Sequence, residues 1–467
     1  MGSYEIFARN RFTTTPYYLA KVISLFAGLT LSIGPLNLRR YFRQYKWLAR
    51  PNRQLDLMKE ARKNRSREYW QGMFEVVYFL LRYLATVLKG ATQEPEKLIW
   101  HEDLVPPEII HAMGLVPFCV EAPGIILPEL NAELTEYFID VAENSGYPGD
   151  ICSLPKSTIG LIMEDQFPPP RAIISSNSPC DGGMASYLPI EQKLNVPVFR
   201  LDLPYNFTQP KALEYYEQEV KSMIEFLERR TGKKLDYDRL KEVCEERNRA
   251  YEYTLDTWDM IKSRPAPIGS EVLFYSHLCY PLYGGGRIST ELMRNICDIA
   301  RRIISRGGAA IPNEKYRVIL WNPPPLIFPE IFIWMEYTYG AIMVMDMITY
   351  NRHPFIDTTS KESMLRDLAT IMAYGPMARH TRGPVENFFG DLFRIYREFQ
   401  ADMIMMAAHI GCKNTRAVLR MFREYCRRDN IPLLVFDYDL SDTRITSPDG
   451  IKRQIADFMD NVMGHSR

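Results

Sequence analysis

Three cysteines have the chemistry and the positions expected of ligands to a metal cluster: Cys152, Cys180 and Cys412. They are separated by 28 and 232 residues, whereas the ligand pairs of zinc fingers are separated by about two to four residues. Only a folded core could therefore bring the three thiols together. If they converge, we expect an iron–sulfur cluster, because three thiolates would leave one iron of a four-iron cluster open for chemistry.

Each of these cysteines lies at the predicted end of a strand or start of a helix, among polar residues, Gly or Asn. A helix N-terminus lowers the pKa of a nearby thiol and favours the thiolate. A free cysteine is otherwise most often a small buried apolar residue, and spacing alone leaves both interpretations open. We apply the second interpretation to the remaining five cysteines: Cys119, Cys244, Cys279, Cys297 and Cys426.

The elements that must position these cysteines alternate between strands and helices. Short apolar runs bounded by Gly, Pro and Asn predict strands, and longer segments between them have helical periodicity. We therefore predict an α/β fold with two related, Rossmann-like parallel-sheet domains, a helical connector and an N-terminal helical extension. Strands are predicted at 115–120, 171–177, 195–204, 316–322, 341–345, 401–406 and 430–437.

The composition predicts three regions along the chain. Residues 1–95 form the helical extension. Residues 96–262 form the first α/β domain with the connector, whose long charged helices are predicted at 214–230 and 236–261, and this region carries the first two cysteines. Residues 263–467 form the second α/β domain, which carries the third cysteine.

The two α/β halves share a sequence repeat. Ile-Ser-Ser-Asn-x-x-Cys, which ends at Cys180, is followed by Asn-Val-Pro-Val-Phe-Arg-Leu-Asp. Met-Ala-Ala-His-x-x-Cys, which ends at Cys412, is followed by Asn-Ile-Pro-Leu-Leu-Val-Phe-Asp. In both, a strand, a cysteine, a helix and a second strand follow one another. The repeat predicts that both cysteines follow the carboxyl ends of equivalent strands, where open α/β sheets bind ligands.

Charge and motifs exclude several classes of function. Lys plus Arg and Asp plus Glu both number 57, so the net charge is zero and nucleic acid is not an expected partner. The chain has no Gly-x-x-x-x-Gly-Lys-(Ser/Thr) motif, so we expect no ATP hydrolysis through a P-loop. No secretory signal is visible, and the eight cysteines therefore indicate a reducing cytoplasm. Asp437, Asp439 and Asp442 could bind a metal, but we favour a polar loop that caps the last helix.

The N-terminal region is apolar at residues 17–36, but Lys21 and Pro35 bracket a run of about 13 residues, short of the roughly 20 needed to cross a bilayer. We favour a buried or partner-facing helix. A helix on a membrane surface is the alternative, because the flanking residues are basic. These residues are Arg39, Arg40, Arg43, Lys46 and Arg50.

Several segments together resemble the 2-hydroxyacyl-CoA dehydratase and benzoyl-CoA reductase family, in particular the large subunit of 2-hydroxyglutaryl-CoA dehydratase. The resemblance extends from about residue 97 to the C-terminus. It rests on Asp-Ile-Cys-Ser at 150–153, Asn-Val-Pro through Asp-Leu-Pro-Tyr-Asn at 195–206, Thr-Gly-Lys-Lys-Leu-Asp at 231–236, Arg-Pro-Ala-Pro at 264–267, Cys-Lys at 412–413, and Ile-Pro through Asp-Tyr-Asp-Leu-Ser-Asp-Thr-Arg at 431–444.

The resemblance implies that each of two homologous subunits holds a [4Fe-4S] cluster through three cysteines, here Cys152, Cys180 and Cys412. A separate ATP-hydrolysing iron–sulfur activator protein supplies one electron, which agrees with the missing P-loop. In the dehydratases, the thioester carbonyl of the acyl-CoA takes the open iron site. One-electron reduction then gives a ketyl radical, which expels the hydroxyl group and leads to the 2-enoyl-CoA. In the reductases, the electrons remain in an aromatic ring.

The resemblance leads us to expect a pocket around the cysteines. The candidates for catalysis are Ser153, His277, His409 and Lys413, and the candidates for substrate binding are Asn177, Asp181, Arg287 and Asn414. The chain has Lys-Asn-Thr-Arg at 413–416, where the dehydratase large subunit has Lys-Pro-Trp-Ser after its third cysteine. The identity of the acyl group is therefore not carried over.

Three functions follow from these observations. Dehydration of a 2-hydroxyacyl-CoA is the first, and reduction of an aromatic acyl-CoA by a benzoyl-CoA-reductase-type enzyme is the second. The third belongs to another class: a non-catalytic electron-relay or scaffold subunit with a closed cluster or none.

Overall fold

The computed structural model describes residues 15–48, 65–325, 327–381 and 384–464. Two 3-10 helices lie at Lys46–Leu48 and Pro95–Lys97. The α-helices of the described residues are α1 (Thr15–Ile33), α2 (Pro35–Gln44), α3 (Arg67–Gln93), α4 (Pro107–Ala112), α5 (Ala122–Leu130), α6 (Ala132–Asn144), α7 (Ser153–Met163), α8 (Asp181–Leu194), α9 (Pro210–Thr231), α10 (Tyr237–Ile261), α11 (Ser270–His277), α12 (Cys279–Tyr283), α13 (Arg287–Ser305), α14 (Glu330–Tyr339), α15 (Lys361–Ala373), α16 (Pro376–Thr381), α17 (Val385–Glu398), α18 (Lys413–Arg428) and α19 (Pro448–Asn461).

The strands form two four-stranded sheets in which all neighbouring strands are parallel. The first sheet has the order β2-β1-β3-β4 and the second has the order β6-β5-β7-β8. The predicted α/β fold with two parallel sheets is therefore confirmed. The strands are β1 (Leu98–His101), β2 (Val116–Cys119), β3 (Ala172–Ser176), β4 (Val198–Leu201), β5 (Tyr316–Trp321), β6 (Ala341–Asp346), β7 (Met403–His409) and β8 (Leu433–Tyr438).

The two sheets have the same topology. In each, the first strand lies between the second and the third, so the order reverses between the first and third strands. Such a switch point opens a crevice at the carboxyl ends of these two strands. The crevices lie after β1 and β3 in one sheet and after β5 and β7 in the other. Cys180 follows β3 and Cys412 follows β7, as the sequence repeat predicts.

The sheets are covered on both faces. Every residue of β1, β3 and β7 is buried, as expected for parallel strands with crossover helices on each side. Their apolar runs therefore lack the alternation of a half-exposed strand. The two sheets lie on either side of residue 262, and α9 and α10 lie between them in sequence. The domain limits at residues 95 and 262 remain a prediction.

Helices α1 to α3 form the N-terminal helical region. By length and composition α3 could cross a membrane, and 44% of its most apolar window is buried. Its Tyr69, Val76, Phe79, Tyr83 and Val87 belong to the main hydrophobic core. We therefore assign α3 as a core helix of the α/β structure. Helices α1 and α2 pack on it and bend by 106° relative to each other.

Helix α7, which begins directly after Cys152, crosses α6 at very short distance. A Cβ on Gly160 would lie 1.9 Å from the carbonyl oxygen of Phe138. Only glycine allows this approach, and the position of α7 sets the position of Cys152. Gly390, in α17, has open space where its Cβ would be.

We predict that Gly160→Ala lowers the free energy of unfolding by about 2 kcal/mol, because the added methyl forces α6 and α7 apart. Gly390→Ala should instead raise it by up to about 1 kcal/mol, since alanine favours the helix. Urea unfolding of both variants measures the difference. Equal effects of the two substitutions would contradict the close crossing.

Candidate functional site

Each of the three cysteines is the N-cap residue of a helix. Cys152 precedes α7, Cys180 precedes α8 and Cys412 precedes α18. In none of them does the side chain cap its own helix with a hydrogen bond. The thiols are therefore available to another group, and all three are free of disulfides.

Gly182 and Gly411 lie where the three cysteine segments approach one another, and at Gly411 the approach leaves no room for a side chain. A Cβ on Gly182 would lie 3.8 Å from Cys180 Sγ and 3.9 Å from Cys152 Cβ. A Cβ on Gly411 would lie 2.9 Å from Cys152 Cα. The chain next to Cys412 thus touches the backbone of Cys152, and Cys152 and Cys180 border the same point. The structure brings the three predicted ligands into one site.

Cys152 and Cys180 do not have the lowered pKa values predicted from their helix N-termini. Burial raises the pKa of Cys152, and the nearby Cys180, Asp439 and Cys412 raise it further. Burial and Cys412 also raise the pKa of Cys180 to about 11. For these two cysteines the prediction was wrong, because desolvation and the nearby acidic groups outweigh the helix termini. Ionising Cys152 and Cys180 therefore requires a compensating positive charge.

His409 joins Cys152 to the second sheet. The backbone N–H of Leu440 donates to His409 Nδ1 at 3.2 Å, so we assign the ring proton to Nε2. Nε2 lies 3.1 Å from Cys152 Sγ and donates a hydrogen bond to it. Burial lowers the pKa of His409, and the ring is therefore a neutral donor to sulfur.

Asp439 connects the two halves beneath this histidine. Its Oδ1 accepts hydrogen bonds from the Ser153 hydroxyl and from the backbone N–H groups of Ser441 and Asp442, the latter two at 3.0 and 2.8 Å. Its Oδ2 lies 3.7 Å from His409 Nδ1. The loop after β8 therefore holds Ser153 and His409 in place. We expected this loop to cap the last helix, but Ser447 caps α19.

Cys412 has its own hydrogen-bond donor. The Thr415 hydroxyl lies 3.0 Å from Cys412 Sγ and 3.1 Å from Asn322 Oδ1. Asn322 directly follows β5 with φ +79°, a left-handed conformation that asparagine tolerates better than most residues. Its Nδ2 donates to the carbonyl of Ala407 in β7 at 2.8 Å. Thr415 and Asn322 thus fix the position of Cys412 relative to the switch point of the second sheet.

A mainly apolar cavity of about 130 Å³ lies near the cysteine site, although none of the three cysteines lines it. Leu154, two residues after Cys152, and Leu440, which bonds to His409, both line it. His277 lies in its wall, where burial and the charge of Arg247 lower the histidine pKa to about 3. His277 is therefore neutral at physiological pH. Such a cavity can hold a small apolar group and exclude water.

Three carboxyl groups lie close together after β1 and β2, and Glu102 among them directly follows β1 at the switch point of the first sheet. Oxygens of Glu102, Asp103 and Glu121 lie within 4.8 Å of one another. Burial and the neighbouring acids raise the pKa values of Glu102 and Glu121, and burial raises that of Asp103 to about 6. Glu102 accepts from the backbone N–H of Ser176 at 2.5 Å, and Asp103 lines the cavity. Glu102 and Glu121 can therefore hold protons at neutral pH, whereas Asp103, which lines the cavity, is mostly ionised there.

Ser153, His277 and His409 are thus found at the cysteine site or at the adjoining cavity. Asn177 lies at the end of β3, where its Oδ1 accepts from the backbone N–H of Leu203 at 2.9 Å. Asp181 is the first residue of α8, and its side chain lies outside the described part of the structure. Asn177 links β3 to the segment after β4.

The other candidates lie further from the thiols or at the surface. Lys413 and Asn414 are exposed in the first turn of α18, and Lys413 Nζ lies 3.9 Å from Asp150 Oδ2. Arg287 is exposed at the start of α13, near Glu246 of α10. The predicted role of Arg287 in substrate binding, like the roles of the other candidates, remains a prediction.

Sequence reasoning did not select Glu102, Glu121, Asn322 and Thr415. Glu102 and Asn322 are equivalent, because each directly follows the first strand of its sheet. Extending the sequence repeat to these first strands would have found them. Thr415 is three residues after Cys412, and the first turn of a helix places such a side chain next to its N-cap residue.

The comparisons with known proteins agree with this geometry. Residues 104–462 match the family described as 2-hydroxyglutaryl-CoA dehydratase, D-component. The chain belongs to this family. The matched region contains all three cysteines and the second switch point, and α1 to α3 precede it. The resemblance seen in the sequence is therefore confirmed.

Several named relatives match this D-component family member over different fractions of its length. A benzoyl-CoA reductase chain of Thauera aromatica, named as one of that enzyme's subunits, is 24% identical over 72% of this chain and 83% of its own length. The alpha chain of (R)-2-hydroxyisocaproyl-CoA dehydratase of Clostridioides difficile is 24% identical over 50% of this chain and 59% of its own. The alpha chain of (R)-2-hydroxyglutaryl-CoA dehydratase of Acidaminococcus fermentans is 25% identical over 35% of this chain and 36% of its own length. Each name describes one component of an acyl-CoA-transforming enzyme.

We predict that Asp439→Ala lowers the free energy of unfolding by about 2 kcal/mol, because it leaves buried N–H and O–H donors without an acceptor. Asp437→Ala is the matched control. Its carboxylate is exposed and pairs with Arg416 at the surface, so its loss should change stability by at most about 1 kcal/mol. Denaturant unfolding compares the two variants. An equal cost for Asp437→Ala would contradict the role assigned to Asp439.

Proposed function

We propose that this D-component family member is the iron–sulfur subunit of an enzyme that transforms acyl-CoA substrates. The observation that carries the proposal is the convergence of Cys152, Cys180 and Cys412 beside an apolar cavity at the switch points of two parallel sheets. Dehydration of a 2-hydroxyacyl-CoA to a 2-enoyl-CoA is the reaction that we place first, because the family and several relatives are named for such dehydratases.

The residues present fit a [4Fe-4S] cluster. Gly411 leaves space beside Cys152 that a Cβ would fill, and Gly182 places no side chain next to Cys152 and Cys180. The donor set consists of three thiols, and thiolate sulfur binds iron in such clusters. Cys152, Cys180 and Cys412 would hold the cluster. When bound, it supplies one-electron chemistry and an iron with an open coordination position.

The protein side chains have separate tasks around that centre. His409 and Thr415 donate hydrogen bonds to two of the sulfurs, which stabilises charge on them and tunes the redox potential. The apolar cavity receives the acyl group and keeps water from reactive species. Asp103 lines the cavity and can accept a proton from a carbon or hydroxyl of the substrate, and the protonated Glu102 and Glu121 lie beside it.

The proposed enzyme needs partners. Its relatives are named as single components of multi-subunit enzymes, and we infer a homologous second subunit here. The absence of a P-loop motif supports a separate ATP-hydrolysing iron–sulfur activator as the electron donor. Free thiols in all eight cysteines are consistent with a reducing, oxygen-poor cytoplasm.

Reduction of an aromatic acyl-CoA is the second candidate. The match to the benzoyl-CoA reductase chain extends over 72% of this chain, against 50% for the hydroxyisocaproyl-CoA dehydratase. Anaerobic assay of the activated complex distinguishes the two reactions. A 2-hydroxyacyl-CoA should yield the enoyl-CoA without net reduction, whereas benzoyl-CoA should yield a diene and consume electrons. Activity with neither class would favour a relay or scaffold subunit.

We predict that the anaerobically purified chain contains about four iron and four sulfide per molecule. Cys412→Ser should lose most of both, because one of three ligands is removed. Cys426→Ser is the matched control, since Cys426 is buried further along the same helix, away from the site, and should retain them. Iron and sulfide analysis measures the contents. Absence of iron from the unaltered chain would refute the cluster.

We predict that Thr415→Val makes the midpoint potential of the centre more negative, because the hydroxyl no longer stabilises charge on Cys412 sulfur. A hydrogen bond to a charged group contributes about 1.5 to 3 kcal/mol, which sets an upper bound of roughly 130 mV for one electron. Thr415→Ser keeps the hydroxyl and should keep the potential. Redox titration followed by electron paramagnetic resonance compares the three proteins. An unchanged potential in Thr415→Val would exclude the hydrogen bond as a tuning contact.

A further inference from the structure

Helices α1 and α2 present an apolar outer surface that the cysteine site does not use. Leu19, Ile23, Ala27 and Leu31 follow one another at four-residue spacing along the exposed side of α1. Leu31 is 87% exposed, and Leu36, beyond the bend, is 81% exposed. These are the two most exposed large apolar side chains in the described residues. Both flank the 106° bend, so the corner between the helices is an apolar tip.

The opposite side of the two helices is anchored to the protein. Leu29 and Ile33 of α1 pack with Leu88 of α3. The Tyr18 hydroxyl donates to Glu75 at 2.9 Å, and Tyr41 shares a hydrogen bond with Thr92 at 2.7 Å. Because one side of α1 is committed to α3, lipid cannot surround the helix. The exposed side can only lie against a surface.

The segment is strongly basic, although the chain as a whole is neutral. Residues 15–48 contain five basic residues and no acidic residue. Arg39, Arg40 and Arg43 are exposed on α2 at three, four and seven residues after Leu36, which places them on the same side of the helix. The apolar tip is therefore bordered by arginines. The other two basic residues are Lys21 and Lys46.

An apolar cavity of about 70 Å³ lies behind this surface, between α1, α2 and α3. All ten of its lining residues are apolar. Phe42 lines the cavity and is also exposed at the outer surface. The interior next to the tip thus has the character of hydrocarbon.

From these features we propose that the α1–α2 surface docks on an anionic membrane. Leu31 and Leu36 would enter the boundary between headgroups and acyl chains, and Arg39, Arg40 and Arg43 would bind lipid phosphates. The exposed leucines require apolar contacts, and the exposed arginines beside them require anionic contacts. An anionic lipid surface supplies both kinds of group side by side along the whole acid-free segment. The proposal does not depend on the proposed reaction, because α1 and α2 precede the family match.

The test uses the full chain, purified without oxygen, and sedimentation with lipid vesicles. We expect binding to vesicles of phosphatidylcholine mixed with phosphatidylglycerol, and at least about tenfold weaker binding to phosphatidylcholine alone. The double variant Leu31→Glu, Leu36→Glu should lose binding to both. Val462→Glu is the matched control, since Val462 is an exposed aliphatic residue elsewhere, and it should bind as the unaltered chain does.

A second variant tests the charge. Replacing Arg39, Arg40 and Arg43 by Gln should weaken binding to the anionic vesicles about tenfold and reduce its salt dependence. Replacing Arg420, Arg423 and Arg427 of α18 by Gln is the control, because these arginines are also exposed and have similar spacing. Thermal unfolding midpoints confirm that each variant is folded.

Two outcomes would overturn the proposal. The first is the absence of binding to anionic vesicles, or binding that the Leu31→Glu, Leu36→Glu variant retains. The second outcome has two parts: the unaltered chain does not bind vesicles, and the Leu31→Glu, Leu36→Glu variant differs from it in molecular mass, as measured by light scattering without lipid. The surface would then belong to a second copy of this chain or to a protein partner.

Discussion

Gly411 is the point at which the second sheet unit touches the backbone of Cys152. A methyl group there would lie 2.9 Å from Cys152 Cα and 3.0 Å from His409 Nε2. Because the two chain segments approach this closely, three helix N-termini from distant parts of the sequence share one small volume. The hydrogen bonds through Ser153, Asp439 and His409 all bridge the same junction. The site therefore depends on the contact between the halves more than on either half alone.

The two halves repeat a topology but differ in the chemistry that they place at equivalent positions. After the first strand, one sheet carries Glu102 and the other carries Asn322. At the end of the third strand, one carries Asn177 and the other carries His409. The first half thus contributes carboxyl groups with raised pKa values near the cavity, whereas the second contributes neutral groups that orient two cysteines. This asymmetry suits a site that must both move protons and stabilise thiolate charge.

The two sides of the N-terminal helices α1 and α2 differ in character. Their inner residues join the core through α3, but their outer residues combine full apolar exposure with a purely basic charge. Neither property serves the cysteine site. The region matched by the D-component family begins only at residue 104. The chain thus joins an α/β core with a three-cysteine site to a surface of independent character.

The sequence by itself determined the α/β class, the two parallel sheets and the three cysteines, because strand periodicity, the repeat at Cys180 and Cys412, and residue chemistry are local properties. It also placed Ser153, His277 and His409 among the candidates. Only the tertiary structure decided that Asp439 holds Ser153 and His409, that Thr415 donates to Cys412, and that Glu102, Asp103 and Glu121 share a buried cluster. These contacts include segments as far apart as 286 residues, as for Ser153 and Asp439. The pKa values of Cys152 and Cys180 are raised and not lowered for the same reason. A helix N-terminus can be predicted from local sequence, whereas desolvation and the proximity of the other cysteines arise only when the two halves meet.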